Sequence, residues 1–412
     1  MNLYAKIILA AILLEFFLSL ISDILNILHI KPDLPEEFRD VWDNEKYRKS
    51  QEYLKTNTIF GIVTSTFMLI ITLLFWFLKG FNFLDLQIRS FGLHPVWNGL
   101  IFVGVLIFLR TIISLPFSVY STFVIEERFG FNKTTVKTFV LDLIKGIALS
   151  VVIGAPVFAG ILAFFQYAGD LAWLWCWVTV TGFSLFIQFI APVWILPLFN
   201  KFTPLDQGEL RDRIISFAEK VKFPLSNIFV MDGSRRSSKS NAFFTGFGKH
   251  RRIALYDTLI ENHTTDQLVA VLAHEIGHYK KKHILTGTLI SIAHTGILFF
   301  LVSVFLTNRN LFDAFYMENM SIYAGLLFFG LLYTPVELVL SILMSYISRK
   351  NEFEADKFAA QNTGNPEALV SALKKLSADN LSNLTPHPFT VFLSYSHPPV
   401  LERINALKKA NN

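Results

Sequence analysis

The run VLAHEIGHYKKKH, residues 271–283, places His274, Glu275 and His278 at the H-E-x-x-H spacing. Two imidazoles and a carboxylate are the side chains that hold a zinc ion and act on a water beside it. The chemistry needs both imidazoles on one side of a helix, and four residues is close to one turn. Glu275 then lies about 100° round from His274, beside an ion held by the histidines and not on it. That position suits a general base acting on water. Five residues recur by chance, so the pattern alone also allows two unrelated histidines on a polar face.

A helix must carry them, and the flanking residues supply one. Gln267 follows Thr264 by three residues, a capping-box pattern. Asp266 in the first turn favours the helix dipole. Leu268, Val271, Leu272 and Ile276 recur at helical spacing. Continued to His283, the same count puts that side chain about 140° off the ligand face, as a surface residue. His29, His94, His250, His263, His294 and His387 have no recognisable partners and read as structural.

Catalytic zinc usually keeps three protein ligands and one open position. RKNEFEADKFAA, residues 349–360, offers the third. Glu352 and Asp356 are one turn apart and share a helix face, whereas Glu354 lies about 200° from Glu352 and points elsewhere. Glu352 is the expected ligand. Asp356 is expected to orient a ligating histidine through its other nitrogen.

These residues sit in a very apolar chain. Of 412 residues, 52% are hydrophobic and 17% charged, and 42 are phenylalanine. A soluble domain carries roughly 25% charged residues. The apolar residues collect in seven stretches long enough to cross a bilayer, at about 3–30, 57–78, 97–120, 141–167, 171–199, 284–307 and 322–347. The first is too long for a signal peptide, and no small-residue cleavage pattern follows it, so it is expected to be retained. The expected fold is an all-α membrane protein with seven transmembrane helices and a mainly α cytoplasmic zinc domain containing a small β-sheet. A five-span region covers 1–199. The zinc region covers 200–412 and includes the spans at about 284–307 and 322–347. Within the insert, 208–223 reads as a helix, 227–232 and 251–257 as strands, and 240–248 as a strand and turn.

Charge sets the expected orientation. The connections 79–96, 168–170 and 308–321 hold only Lys79, Arg89 and Arg309. The connection 31–56 alone holds Lys31, Arg39, Lys46, Arg48, Lys49 and Lys55. Basic loops stay inside, so the catalytic region and C-terminus are expected in the cytoplasm and the N-terminus outside. These loops account for the pI near 9.0, and no nucleic-acid partner is called for. The single cysteine, Cys176, cannot form an internal disulfide. Glu15, Asp23, Arg110, Asp142, Lys145 and Glu337 fall inside the spans, where each must pair across helices or meet water.

HEIGH at 274–278, NEFEAD at 351–356 and YSHPPVLERINAL at 395–407 together resemble the type I CAAX prenyl protease family. EERFGFNKTT at 126–135, PLFNKFTPL at 197–205 and SNAFFTGFG at 240–248 extend the resemblance to essentially the whole chain. These are integral-membrane zinc metalloendopeptidases, related to bacterial heat-shock membrane metalloproteases. The resemblance implies one zinc ion per chain and helices enclosing a water-filled chamber. It implies a peptide or protein substrate, lipidated in the CAAX case, paired with an edge strand at Asn241, Ala242, Phe243 and Phe244. It implies that His397 and Arg403 contact substrate or stabilise an oxyanion. Membrane lipids are the other expected partners. The location would be a bacterial inner membrane or, in a eukaryote, the endoplasmic reticulum. The short 308–321 connection and the end soon after Leu407 suggest a compact member. Two alternatives remain: a quality-control protease for membrane proteins, and a transporter or lipid-handling protein with structural zinc. Glu275 speaks against the latter, because a structural site has no use for a carboxylate beside an open position.

Overall fold

The structure, a computed structural model, describes residues 1–225, 227–245 and 252–411. Among them, seven helices are long and apolar enough to cross a membrane: Leu3–Leu28, Asn44–Phe77, Pro95–Glu126, Val136–Tyr167, Gly169–Phe199, His283–Phe305 and Ile322–Thr363. All seven apolar stretches are helical, but several helices outrun them. A backbone ladder does not stop where side chains turn polar. Asp43 caps the second helix by accepting the Lys46 N–H at 2.6 Å, so the charged run 44–56 forms its first turns. The seventh helix continues to Thr363 and stops at Gly364, whose φ of 69° makes a left-handed cap. Glu352 and Asp356 therefore ride on the seventh span's own helix. The third, fourth and fifth spans each contain a widened π turn, at Ser121–Glu126, Ser150–Gly154 and Ala191–Ile195. Pro192 lies inside the last, and Pro156 follows the second. Proline has no N–H to give and crowds the preceding turn.

Buried side chains gather at two depths. One cluster joins the span ends on the N-terminal face, through Ile8, Trp76, Phe102, Leu162, Val302, Phe315 and Phe328. The other is the core of the polar domain on the opposite face, with Phe38, Tyr47, Ile125, Phe131, Leu255, Leu272, Ile276, Leu369 and Ile404. Between them, 52–75, 103–124, 139–161 and 334–351 contain no buried residue. The helices are clamped at both ends and stand apart in the middle, enclosing an open interior.

The ionisable residues of the spans respond to this layout in two ways. Asp142 pairs with Arg236, accepting from Nε at 2.8 Å and Nη2 at 3.0 Å. Lys145 donates to the Leu198 carbonyl at 2.7 Å, and Glu337 lies 3.2 Å from His294 Nε2. Asp23 is half-buried, while Glu15 and Arg110 are exposed at mid-span. A charge exposed there costs several kcal/mol unless it meets water, which argues for a hydrated interior.

The polar domain holds a four-stranded mixed sheet: β1 Phe202–Pro204, β2 Asn227–Met231, β3 Ala242–Thr245 and β4 Arg252–Tyr256. The order is β1-β2-β4-β3, with β2 and β4 parallel and both outer pairs antiparallel. β2 and β4 lie where strands are expected. β1, three residues ending in a proline, carries no pattern long enough to read. The turn expected after β3, with His250 and Arg251, lies outside the described residues. The expected insert helix runs Glu209–Lys220 and buries Ile214, Phe217 and Ala218.

Candidate metal centre

The helix Thr265–Lys280 carries the H-E-x-x-H residues. Its start is a capping box: Gln267 N–H donates to the Thr264 hydroxyl at 3.4 Å, and Thr264 N–H donates to the Gln267 side chain at 2.9 Å. Every residue from Gln267 to Ile276 except Glu275 is buried. The helix lies against the far end of the seventh-span helix, and small residues set how close. A Cβ built on Gly277 would meet the Ala355 Cα and carbonyl oxygen, both at 3.1 Å. Positions 274, 277 and 278 face 352, 355 and 356, the same i, i+3, i+4 spacing on each helix. Glycine and alanine make the contact, and the histidines and carboxylates meet across it.

The donor groups of three residues converge there. His278 Nε2 lies 3.2 Å from His274 Nε2 and 3.2 Å from Glu352 Oε1. His274 Nε2 lies 3.4 Å from Glu352 Oε2. A tetrahedral ion with bonds of about 2.0–2.1 Å separates its ligands by about 3.4 Å. Glu352 Oε2 is buried and makes no hydrogen bond among the described residues. Burial pulls the His274 pKa down, but hydrogen bonds to Asp356 and Glu352 outweigh that and push it up to about 9. The pocket thus favours a positive charge at the imidazole. Two imidazole nitrogens and a carboxylate oxygen within 4.8 Å of one another fit a divalent cation.

The surroundings fix the ligands. His274 Nδ1 lies 2.9 Å from Asp356 Oδ1. Arg403 clamps the same carboxylate in a fork, Nε to Oδ2 at 2.8 Å and Nη2 to Oδ1 at 2.7 Å. Its third nitrogen, Nη1, lies 3.2 Å from Glu352 Oε2. Arg403 is buried behind the donor atoms. That differs from the expectation of a substrate contact, because its donors are committed to the two carboxylates. His397 is the opposite case. Its side chain is 65% exposed, its Nε2 lies 3.4 Å from Glu352 Oε1, and its Nδ1 lies 2.9 Å from the Ser396 hydroxyl. Arg349, which no motif singles out, pins the segment before His397 by donating Nη1 to the carbonyls of Val391 at 3.0 Å and Tyr395 at 2.6 Å. Glu275 is half-buried beside His274. Its carboxylate accepts no hydrogen bond among the described residues, and its charge reaches Arg403.

One expectation about the neighbouring residues is corrected. His283 is not a surface residue. Its side chain is 10% exposed, and its Nδ1 lies 3.1 Å from His278 Nδ1. Counting round a helix fails because the helix ends at Lys280, and Lys282 turns the chain at a φ of 62°. Glu354 points away from the donor group of Glu352, as expected, and its Oε2 lies 3.4 Å from His283 Nε2.

β3 is an edge strand. It pairs with β4 on one side and with no strand on the other among the described residues, and it touches the helix Thr265–Lys280. Ala242, Phe243 and Phe244 lie in it; Asn241 stands just before it, its carbonyl accepting the Tyr256 N–H at 3.1 Å.

Comparison with known proteins covers the whole chain. Residues 23–201 match the family described as CAAX prenyl protease N-terminal, five membrane helices, and residues 204–411 match peptidase family M48. The rice CAAX prenyl protease 1 homolog is 37% identical over 99% of this chain and 98% of its own. The CAAX prenyl protease 1 of Saccharomyces cerevisiae is 37% identical over 91% of this chain and 88% of its own, and the human homolog 33% over 91% and 88%. The crystal structure of S. mikatae Ste24p superposes with a TM-score of 0.92 at 35% identity, covering 99% of both chains.

Proposed function

This chain belongs to peptidase family M48, as a multi-pass membrane metalloendopeptidase of the CAAX prenyl protease type, and on that footing we propose that His274, His278 and Glu352 hold one zinc ion per chain. The observation that carries this is that the three residues each bring a ligand atom within 4.8 Å of the others, with the two Nε2 atoms 3.2 Å apart and one oxygen of Glu352 beside each, at 3.2 Å and 3.4 Å. When bound, zinc supplies Lewis-acid polarisation of the scissile carbonyl and acidifies water. Glu275 accepts the proton of the attacking water and delivers it to the leaving amine. Its half-exposed carboxylate, uncommitted to any donor among the described residues, is suited to both transfers. His397 is exposed and donates from Nε2 to the carbonyl oxygen as negative charge develops there. Asp356 holds His274 through Nδ1, and Arg403 holds Asp356, so Arg403 acts through the ligands and not on the substrate.

The substrate backbone adds to the free edge of β3, along Asn241, Ala242, Phe243 and Phe244. The chain is organised as a five-span region, 1–199, and a peptidase region, 200–412; the two family matches meet between residues 201 and 204, in support. The catalytic region faces the cytoplasm, at the endoplasmic reticulum in a eukaryotic host or the inner membrane in a bacterial one. The substrate is the C-terminal region of a prenylated CAAX protein, the class in the names of its relatives. The open interior between the spans would also admit unfolded membrane proteins, so a quality-control role is the second reading. Cleavage of one peptide with and without a C-terminal isoprenoid separates the two. A preference of about tenfold or more in kcat/KM for the prenylated form is expected, since each 1.4 kcal/mol of added binding is worth tenfold. Equal rates would leave the quality-control reading in its place.

A further inference from the structure

His274 is held by a carboxylate, but His278 is not. Nδ1 of His278 lies 3.1 Å from Nδ1 of His283. Two imidazole nitrogens at that separation share one proton, and the donor is decided on the far side of the His278 ring. There Nε2 faces His274 Nε2 and Glu352 Oε1, both at 3.2 Å. A ligating nitrogen keeps its lone pair, so the hydrogen of neutral His278 is on Nδ1. His278 therefore donates and His283 accepts. A neutral imidazole that accepts at Nδ1 carries its own hydrogen on Nε2. Nε2 of His283 faces Oε2 of Glu354 at 3.4 Å. Each group sets the tautomer of the one inside it.

We propose that His283 is the positioning residue for the ligand His278, and that Glu354 keeps His283 in the tautomer that accepts. This rests on the zinc reading of His278 made above. The two ligand histidines are then held unequally. His274 donates to a carboxylate clamped by Arg403, a charge-assisted bond roughly twice as strong as a neutral one. His278 donates to a neutral ring, backed by a longer contact to a half-exposed carboxylate. The unequal partners also come from different elements. Asp356 belongs to the seventh-span helix, and His283 is the first residue of the sixth, His283–Phe305. Both helices of the hairpin that leaves and returns to this face thus position one ligand histidine each.

The test uses the full-length protein in detergent. Zinc(II) affinity is measured by competition with a chromophoric chelator for the parent, His283→Ala, His283→Asn and Glu354→Ala. Thermal unfolding of each metal-free protein is recorded alongside. Asparagine places an acceptor oxygen near the position of Nδ1. His283→Ala is expected to weaken zinc binding by about 10–100-fold, the usual effect of losing a ligand's hydrogen-bond partner. His283→Asn recovers most of it, and Glu354→Ala loses less than His283→Ala. Metal-free unfolding stays at the parent temperature in all three. Parent affinity in His283→Ala overturns the proposal. So does an equal loss in the Ala and Asn variants, and so does a loss that tracks a lowered metal-free unfolding temperature. His278→Ala is the control: if it binds zinc as the parent does, the zinc reading itself fails, whatever the His283 variants do.

Discussion

Four side chains around the metal centre differ in what they touch, and their truncations should differ accordingly. Glu275 touches no donor among the described residues, so Glu275→Ala should keep about one zinc per chain and lose peptide cleavage by ~10²-fold or more. Metal analysis beside a cleavage assay reads both, and parent-rate cleavage would remove Glu275 from the mechanism. Glu352→Ala should lose zinc and cleavage together. Arg403 and His397 make the sharper contrast. The Arg403 side chain is 9% exposed and Asp356 3%, so Arg403→Ala leaves a buried carboxylate without its cation. Breaking such a pair costs about 3–5 kcal/mol, and the thermal unfolding midpoint should fall. His397→Ala removes an exposed group, so stability should move by no more than about 0.5 kcal/mol. Its kcat should fall by about 10²–10³, the usual loss for one oxyanion donor. A stable Arg403→Ala with only a raised KM would return that residue to substrate contact.

At the scale of elements, the centre depends on how closely two helices approach. A Cβ on Gly277 would lie 3.1 Å from backbone atoms of Ala355, and backbone cannot rotate aside. Helix propensity alone favours alanine over glycine by about 1 kcal/mol. Packing pushes the other way, parting the helices by a few tenths of an ångström just where His274 and His278 meet Glu352. Gly277→Ala should therefore weaken zinc binding while helical content by circular dichroism stays at the parent level. Unchanged affinity would show that the interface yields elsewhere. Much of this element pair is legible in the residues themselves: the capping box, the H-E-x-x-H spacing and the Glu352–Asp356 face follow from one helical period. What is not legible crosses a break in that period. His283 lies past Lys282, whose left-handed φ ends the count. Arg403 meets Asp356 from a separate helix, Val400–Asn411, and no local pattern announces such a pairing. Helix ends are also poorly marked, because polar turns such as 44–56 and 348–363 continue a ladder that hydropathy cannot follow.

The whole molecule is clamped at its two faces and open between them. That layout makes orientation decisive, because the donor group lies on the face that carries the peptidase domain. An odd number of spans sends the termini to opposite faces. The sixth and seventh spans form a hairpin that leaves the domain after His278 and brings Glu352 back to it, so an even number of spans must separate these two ligands. Which face is cytoplasmic rests on charge. The connections on the N-terminal face carry three Lys and Arg, against six in 31–56 alone on the other. Loop Lys and Arg bias orientation strongly, so the face carrying His274 and Glu352 should be cytoplasmic. Single cysteines in a Cys176→Ala background, labelled in intact cells with a membrane-impermeant thiol reagent, test this where the protein resides in the plasma or bacterial inner membrane; sealed microsomes reverse the expected pattern. Gln87 and Lys281 are both exposed and lie on opposite faces. In cells, a cysteine at Gln87 should label and one at Lys281 should not until the membrane is opened. Labelling at Lys281 with protection at Gln87 would invert the protein. Labelling of both in sealed cells would mean that the open interior passes the reagent through, which the packed cluster of Trp76, Phe102, Phe315 and Phe328 across the N-terminal face argues against.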